Sequence, residues 1–236
     1  IARVMELYPD FPFAHFEAAM VFIARGSLDR AESILREGAI VQDRQAHFRQ
    51  RLPARGLHWL LGLVRLARGD VAEADAEFGR EIAGGTGQLY GVEFVMNAHD
   101  GAGFARLLDG DPQEAGRHFT KALELYPDHA RSLVGLGASL AAAGTKKEAA
   151  VVFSRAQSAI EALRRGGRGT EATIANAFLH AAQKRKKEAL QCLAPLVEGG
   201  EMPYTGWTLP IEPLLQPLHD DLEFRQLLTA LASRAR

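Results

Sequence analysis

The sequence is poor in the features that cross-link a chain, hold it in a membrane or attract polyanions. It has one cysteine in 236 residues, Cys192, so no intrachain disulfide can form. A single thiol fits a reducing compartment, and a cytoplasmic location is the expectation. No apolar run reaches the roughly 18 residues that span a bilayer, and the start shows no basic-then-apolar leader pattern. An excess of one charge is missing too. Lys and Arg number 28 against 29 Asp and Glu, a net charge of -1, so no global field draws nucleic acid or anionic lipid. No stretch sustains the alternation of a half-buried strand, so no sheet is expected.

What remains is helix. Apolar residues make up 47% of the chain, and they recur at helical spacing between short turns. The clearest turns are Arg25-Gly26-Ser27-Leu28-Asp29, Arg68-Gly69-Asp70-Val71-Ala72, Asp109-Gly110-Asp111-Pro112-Gln113 and Ala143-Gly144-Thr145-Lys146-Lys147. Each places glycine where a helix end needs a left-handed residue. Ser, Asp or Thr follows, able to cap the next helix, and Pro112 sits in a first turn, where a missing N–H costs nothing. The pattern predicts helices over about 1–8, 12–25, 28–42, 54–68, 71–83, 88–109, 112–125, 129–143, 146–164, 170–184 and 186–198. An extended Gly- and Pro-rich segment over 199–218 and a last helix over 219–234 follow.

Aligned on those glycines, other columns agree. Five residues on stands alanine: Ala31, Ala74, Ala115 and Ala149. Four further stands a large apolar residue: Leu35, Phe78, Phe119 and Phe153. Seven before the glycine stands a small residue: Ala19, Gly62, Gly103 and Gly137. Small residues let two helices of a hairpin approach closely, and the large one fills the gap to the next hairpin. The unit resembles the tetratricopeptide repeat, whose 34-residue period matches Gly110 to Gly144; Ala122 and Pro127 match its later small residue and closing proline. The earlier glycines lie 43 and 41 apart, so those repeats are lengthened. Residues 170–197 read as a fifth, degenerate unit with Ala177 and Ala189 at its small positions and Lys184 in place of the turn glycine. The resemblance implies an all-α, right-handed solenoid of stacked antiparallel helix pairs over 1–198, with 199–236 as a Pro-rich tail and capping helix packed on it. The opening Leu7-Tyr8-Pro9-Asp10 repeats as Leu125-Tyr126-Pro127-Asp128, which reads as a chain that begins inside a repeat of a longer protein.

In such a stack the first helix of each pair lines the concave side. Counting back from the turns places Phe13, Phe16, Met20 and Ile23 there, then Trp59, Leu63 and Leu66, then Asn97, Asp100, Phe104 and Leu107. Arg131, Val134, Ala138 and Ala141 follow, then Ile174, Phe178 and Ala181. So apolar a groove implies a binding surface or a covered one. Family members that grip chaperone tails use Lys, Asn and Arg in these columns. Phe16, Trp59, Asp100, Met20, Leu63 and Phe104 stand there instead, which excludes that partner. The candidate binding residues are therefore Phe16, Met20, Trp59, Leu63, Asn97, Asp100, Phe104 and Arg131. The tail from Trp207 to Leu218 alternates prolines with large apolar residues, and two placements are open: partly in the concave face, or as a cap on the outside of the fifth repeat.

Nothing in the sequence assembles a catalytic or metal site, so no enzyme activity and no cofactor are expected. His15, His58 and His99 share a column but sit on different hairpins, at layer spacings of about 10 Å, too far apart for one metal with bonds near 2 Å. They read as packing residues. Cys192 lies among Leu190, Leu193 and Leu196 and reads as a small buried hydrophobe. Gly84-Gly85-Thr86-Gly87 has no following Gly-Lys-Ser/Thr and reads as a loop. Glu93 and Asp100, seven apart, are expected on one helix face. The leading reading is an interaction scaffold holding a peptide or helix in the groove, with no nucleic-acid or membrane partner. The second is the ligand-sensing region of a multidomain bacterial regulator, because residues 207–231 resemble the closing segment of tetratricopeptide sensor regions linked to winged-helix, cyclase or kinase modules. The third is a spacer or homodimerising module.

Overall fold

The computed structural model describes residues 2–7, 9–46, 55–87, 90–199 and 204–235; expectations placed on Ile1, Tyr8, residues 54, 88, 89 and 200–203 lie outside them. Every regular element among the described residues is helical. The helices are α1 (Ala2–Leu7), α2 (Pro12–Ala24), α3 (Leu28–Ala46), α4 (Leu57–Arg68), α5 (Val71–Ala83), α6 (Gly91–Leu108), α7 (Pro112–Leu125), α8 (Ala130–Ala142), α9 (Lys146–Arg165), α10 (Gly169–Ala182), α11 (Lys186–Glu198) and α12 (Leu222–Arg234). Between the last two lie 3-10 segments η1 (Tyr204–Ile211) and η2 (Pro213–Leu218).

The helices from α2 to α11 pack as five consecutive pairs, each against the next, in a tetratricopeptide-like solenoid. The turns inside the pairs follow the glycine rule. Gly26, Gly69, Gly110 and Gly144 have φ of +71°, +88°, +80° and +85°, and Lys184 holds the same conformation at +62°. In each pair the following N–H reaches the carbonyl five residues back, as from Ser27 to Phe22 at 2.8 Å and from Arg185 to His180 at 2.9 Å. This six-residue closure satisfies an orphan carbonyl at the helix end. The expected side-chain caps are fewer. Asp111 accepts from the Glu114 N–H, while Asp70 and Thr145 make no side-chain cap bond. Thr145 instead donates its hydroxyl to the Leu140 carbonyl at 3.0 Å.

The aromatic column holds successive pairs together. A Cβ on Gly62 or Gly101 would overlap the Phe78 ring; one on Gly103 or Gly135 would overlap Phe119; one on Gly137 would overlap Phe153. Each ring of the first two therefore sits on a glycine of its own pair and a glycine of the next. Gly101 and Gly135 were not among the small positions read from the sequence.

First helices of neighbouring pairs touch one another along the whole stack, α2 to α4, α6, α8 and α10 in turn, more than second helices do. That unequal spacing curves the stack with the first helices inside. The segment 204–218, the described part of the Gly- and Pro-rich stretch, corrects one expectation. It is not extended: Pro210, Pro213 and Pro217 lack the N–H of an α-helix, and tighter bonds replace it, as from Leu215 N to Glu212 O at 3.0 Å and His219 N to Gln216 O at 3.1 Å.

Candidate functional site

The inner helices and the tail form one continuous core. η1 packs against α2 and α4 at one end of the stack, η2 packs against α10 at the other, and α12 touches both α11 and α2. Leu209, Ile211, Leu214, Leu215 and Leu218 are buried, and Trp207 packs against the same core. The C-terminal helix is tied at its end: Arg25 Nε donates to the Ala235 carbonyl, and Arg234 Nη1 donates to the Val197 carbonyl at 2.6 Å. Of the two placements left open for the tail, the inner one is observed.

This changes what the candidate residues are. Phe16, Met20, Leu63, Asp100 and Phe104 are all buried, Trp59 and Arg131 are mostly covered, and Asn97 is half-buried. They do not form an open apolar strip, because the chain's own tail and neighbouring aromatics cover it. Phe16, Trp59 and Phe94 make one aromatic cluster with centroids 5.7 to 6.3 Å apart. Glu93 and Asp100 lie seven residues apart on α6, but Glu93, in its first turn, is exposed while Asp100 is fully buried, so the two do not line one polar patch.

One polar group crosses the apolar channel. Arg131 on α8 donates from Nε to Glu212 Oε2 at 3.1 Å and from Nη2 to Oε1 at 3.2 Å. Its Nη1 donates to Asp100 Oδ2 on α6 at 3.3 Å, and the guanidinium lies 4.8 Å from the Phe104 ring centre. The two-pronged fork is the geometry guanidinium offers a carboxylate. Burial alone would lower the Arg131 pKa, but the charges of Glu212 and Asp100 outweigh it and raise it. Asp100 Oδ1 and Trp59 Nε1 are buried with no hydrogen-bond partner among the described residues. Arg131 and Asp100 are candidates from their repeat positions, and Glu212 is not. The signal was present: Glu212 is the one charged residue between Trp207 and Leu218.

A second buried polar network stands between α3, α4 and α5. His58 donates from Nδ1 to Glu77 Oε2 at 2.6 Å and from Nε2 to Asp43 Oδ1 at 2.8 Å, and Glu77 Oε1 also accepts from Arg65 and Arg80. Burial opposes charging of His58, but its two carboxylate bonds prevail and its pKa is raised. Burial likewise works against the Glu77 anion, yet His58 and Arg80 pull its pKa down. Burial lowers the pKa of His99, His118, His180 and His219.

These shifts set a pH dependence. His58 binds its proton more tightly when folded, so its contribution is full below about pH 6.5 and is lost as pH rises through its folded pKa. The other four histidines bind protons more tightly when unfolded, so stability falls as pH drops below about 6.5. Glu77 adds to the acid loss below about 4.5. Urea midpoints measured from pH 5 to 9 should peak near neutrality, and His58→Gln should flatten the alkaline limb alone. An unchanged alkaline limb in that variant would remove His58 from the account.

The remaining candidates are separate. His15 bonds the Pro9 carbonyl at 3.0 Å, and His99 Nδ1 meets His118 Nδ1 at 3.3 Å. Among the described residues no group of three or more His, Cys, Asp or Glu could hold a metal ion. Cys192 is half-buried rather than buried; burial raises its pKa and it accepts from Asn176 at 3.5 Å. Among the described residues no helix is long and apolar enough to cross a membrane.

No protein-family model matches the sequence, and no curated protein matches it. A similar solved structure is that of YrrB, described as a TPR protein with an unusual peptide-binding site. It shares 15% identity, with 100% of this chain and 97% of that chain covered and a TM-score of 0.49.

Proposed function

We propose that the chain is a protein-interaction scaffold whose inner channel grips a peptide segment, and that its own residues 204–218 are the resident segment. The observation that carries this is the clamp on Glu212. A chain segment rich in proline and leucine lies along the inner helices and is fixed at mid-channel by a two-pronged ion pair. Recognition then works by burial of aliphatic side chains, with Arg131 and Asp100 setting register and Phe16, Met20, Trp59, Leu63, Asn97 and Phe104 forming the walls. The same channel offered to another protein would take a segment of similar build once the tail yields.

The full chain carrying Leu209→Ser and Ile211→Ser loses two buried tail anchors and should accept a tail-like segment from solution. A fluorescent peptide copying residues 204–221 should bind it with an affinity on the order of micromolar, read by anisotropy. Wild-type chain should bind far more weakly, because a tethered tail competes at an effective concentration on the order of millimolar. If the doubly substituted chain keeps its helical circular dichroism and binds no peptide, the scaffold reading is wrong.

A second reading has its own observation. A cleft of about 390 Å³ remains between Leu66, Ala67 and Leu108 on one side and Ile211, Pro213, Gln216 and Pro217 on the other. That volume lies in the range of small-molecule sites, as a ligand-sensing region of a regulator would need. A metabolite that raises the wild-type melting temperature, with the rise lost in Leu108→Trp, would favour it.

A further inference from the structure

Resting on the scaffold reading, the geometry points to the chemistry of the partner: we propose that the segment that displaces the tail carries a carboxylate side chain set between aliphatic and proline residues, selected by Arg131. Three observations converge on this. First, the resident segment reads Ile211-Glu212-Pro213-Leu214-Leu215, and Glu212 is only 5% exposed. A buried carboxylate is costly unless paired, so its presence among apolar anchors needs the guanidinium opposite. Second, that guanidinium is also held by groups outside the tail. It stacks on Phe104, and Asp100 on α6 holds Nη1, leaving the Nε and Nη2 edge turned to the channel. An Arg fork held this way offers two parallel N–H groups spaced for two carboxylate oxygens.

The third observation separates carboxylate from phosphate. Asp100 is fully buried and its second oxygen has no hydrogen-bond partner among the described residues. A phosphorylated side chain brings a charge of about -1.5 to -2 at neutral pH. Beside a buried aspartate in a poorly screened channel, that extra charge is repelled, whereas a single carboxylate leaves the cluster as it now stands. Asp100 thus acts twice: it orients Arg131, and it sets an upper limit on the charge that Arg131 receives. An uncharged segment fails for the opposite reason, since it leaves the Arg131 edge buried without an acceptor.

The test uses the full chain with Glu212→Gln, which weakens the resident clamp and keeps the side-chain shape. Three peptides copying residues 204–221 are titrated against it by anisotropy: one with the native Glu, one with Gln and one with phosphoserine at that place. The Glu peptide should bind about ten- to a hundredfold tighter than the Gln peptide, and the phosphoserine peptide should bind no better than Gln. In a chain that also carries Arg131→Gln the three should converge. In parallel, hydrogen exchange of residues 206–218 in the wild-type chain should speed up in excess Glu peptide and not in excess Gln peptide, a readout that needs no substitution. Equal binding of Glu and Gln peptides would overturn the carboxylate rule and leave the scaffold reading standing. Tightest binding by phosphoserine would overturn the role given to Asp100. No binding by any peptide in either measurement would overturn both the rule and the scaffold reading.

Discussion

Replacing Glu81 by alanine should cost about 3–5 kcal/mol of stability, the amount expected when a buried ion pair loses one member. The Glu81 side chain is fully buried. Its Oε1 lies 3.0 Å from Arg55 Nε, an ion pair too bent for a hydrogen bond at that nitrogen. The same oxygen accepts the Gly56 N–H at 3.1 Å, while Oε2 accepts from Gln42 at 3.2 Å and from the Trp59 N–H at 3.3 Å. The start of α4 has glycine at its cap position and so no side chain of its own to cover its free N–H groups. Glu81 from α5 and Gln42 from α3, which takes the Leu57 N–H at 3.0 Å, do that instead. Alanine would strip a buried guanidinium of its counter-charge and uncap the helix bearing Trp59 and Leu63. Urea unfolding followed by circular dichroism measures the loss. A drop below about 1 kcal/mol would mean that water reaches Arg55. Glu81→Gln, which keeps the acceptor oxygen, should lose less.

The second large effect is expected at Phe119, where alanine should cost about 3–5 kcal/mol through lost burial and the cavity left behind. The ring is fully buried, sits on Gly103 of α6 and Gly135 of α8, and meets Phe104 edge-on at 4.9 Å. Because the molecule is a stack of pairs, the damage should be local first. The α6–α7 pair should uncouple from α8–α9, and the unfolding transition should broaden as well as shift. Phe104 would lose its support and, with it, the surface on which Arg131 rests. The tail-displacing peptide should therefore bind the Phe119→Ala chain with poorer Glu-over-Gln discrimination. A sharp, unshifted transition would show that the glycine surfaces close over the gap.

These two sites differ in how they could be read. Phe119 stands in a column, with Leu35, Phe78 and Phe153 at equivalent places, and its glycine partner Gly103 stands in another. Helix spacing and turn chemistry act over a few residues, so such columns appear in the sequence as repetition. Lys184 shows how far this goes: it takes the left-handed turn position with φ +62° although it is not glycine, because the repeat around it demands that conformation. Glu81 offered no such sign. Its partners come from three other segments, and a carboxylate on a helix ordinarily marks a solvated face.

The same division runs through the candidate site. The repeat alone determined the helix pairs, their turns and the column of large residues that includes Phe78, Phe119 and Phe153, since each recurs with the helix spacing and turn chemistry of a single pair. Tertiary structure alone decided that the tail lies inside and that Arg131 meets Glu212, 81 residues away. Nothing local favours one side of the stack for a Pro-Leu segment. The choice comes from summed burial against α2, α4 and α10 and from a charge pair whose members acquire meaning only when the curved stack brings them within reach.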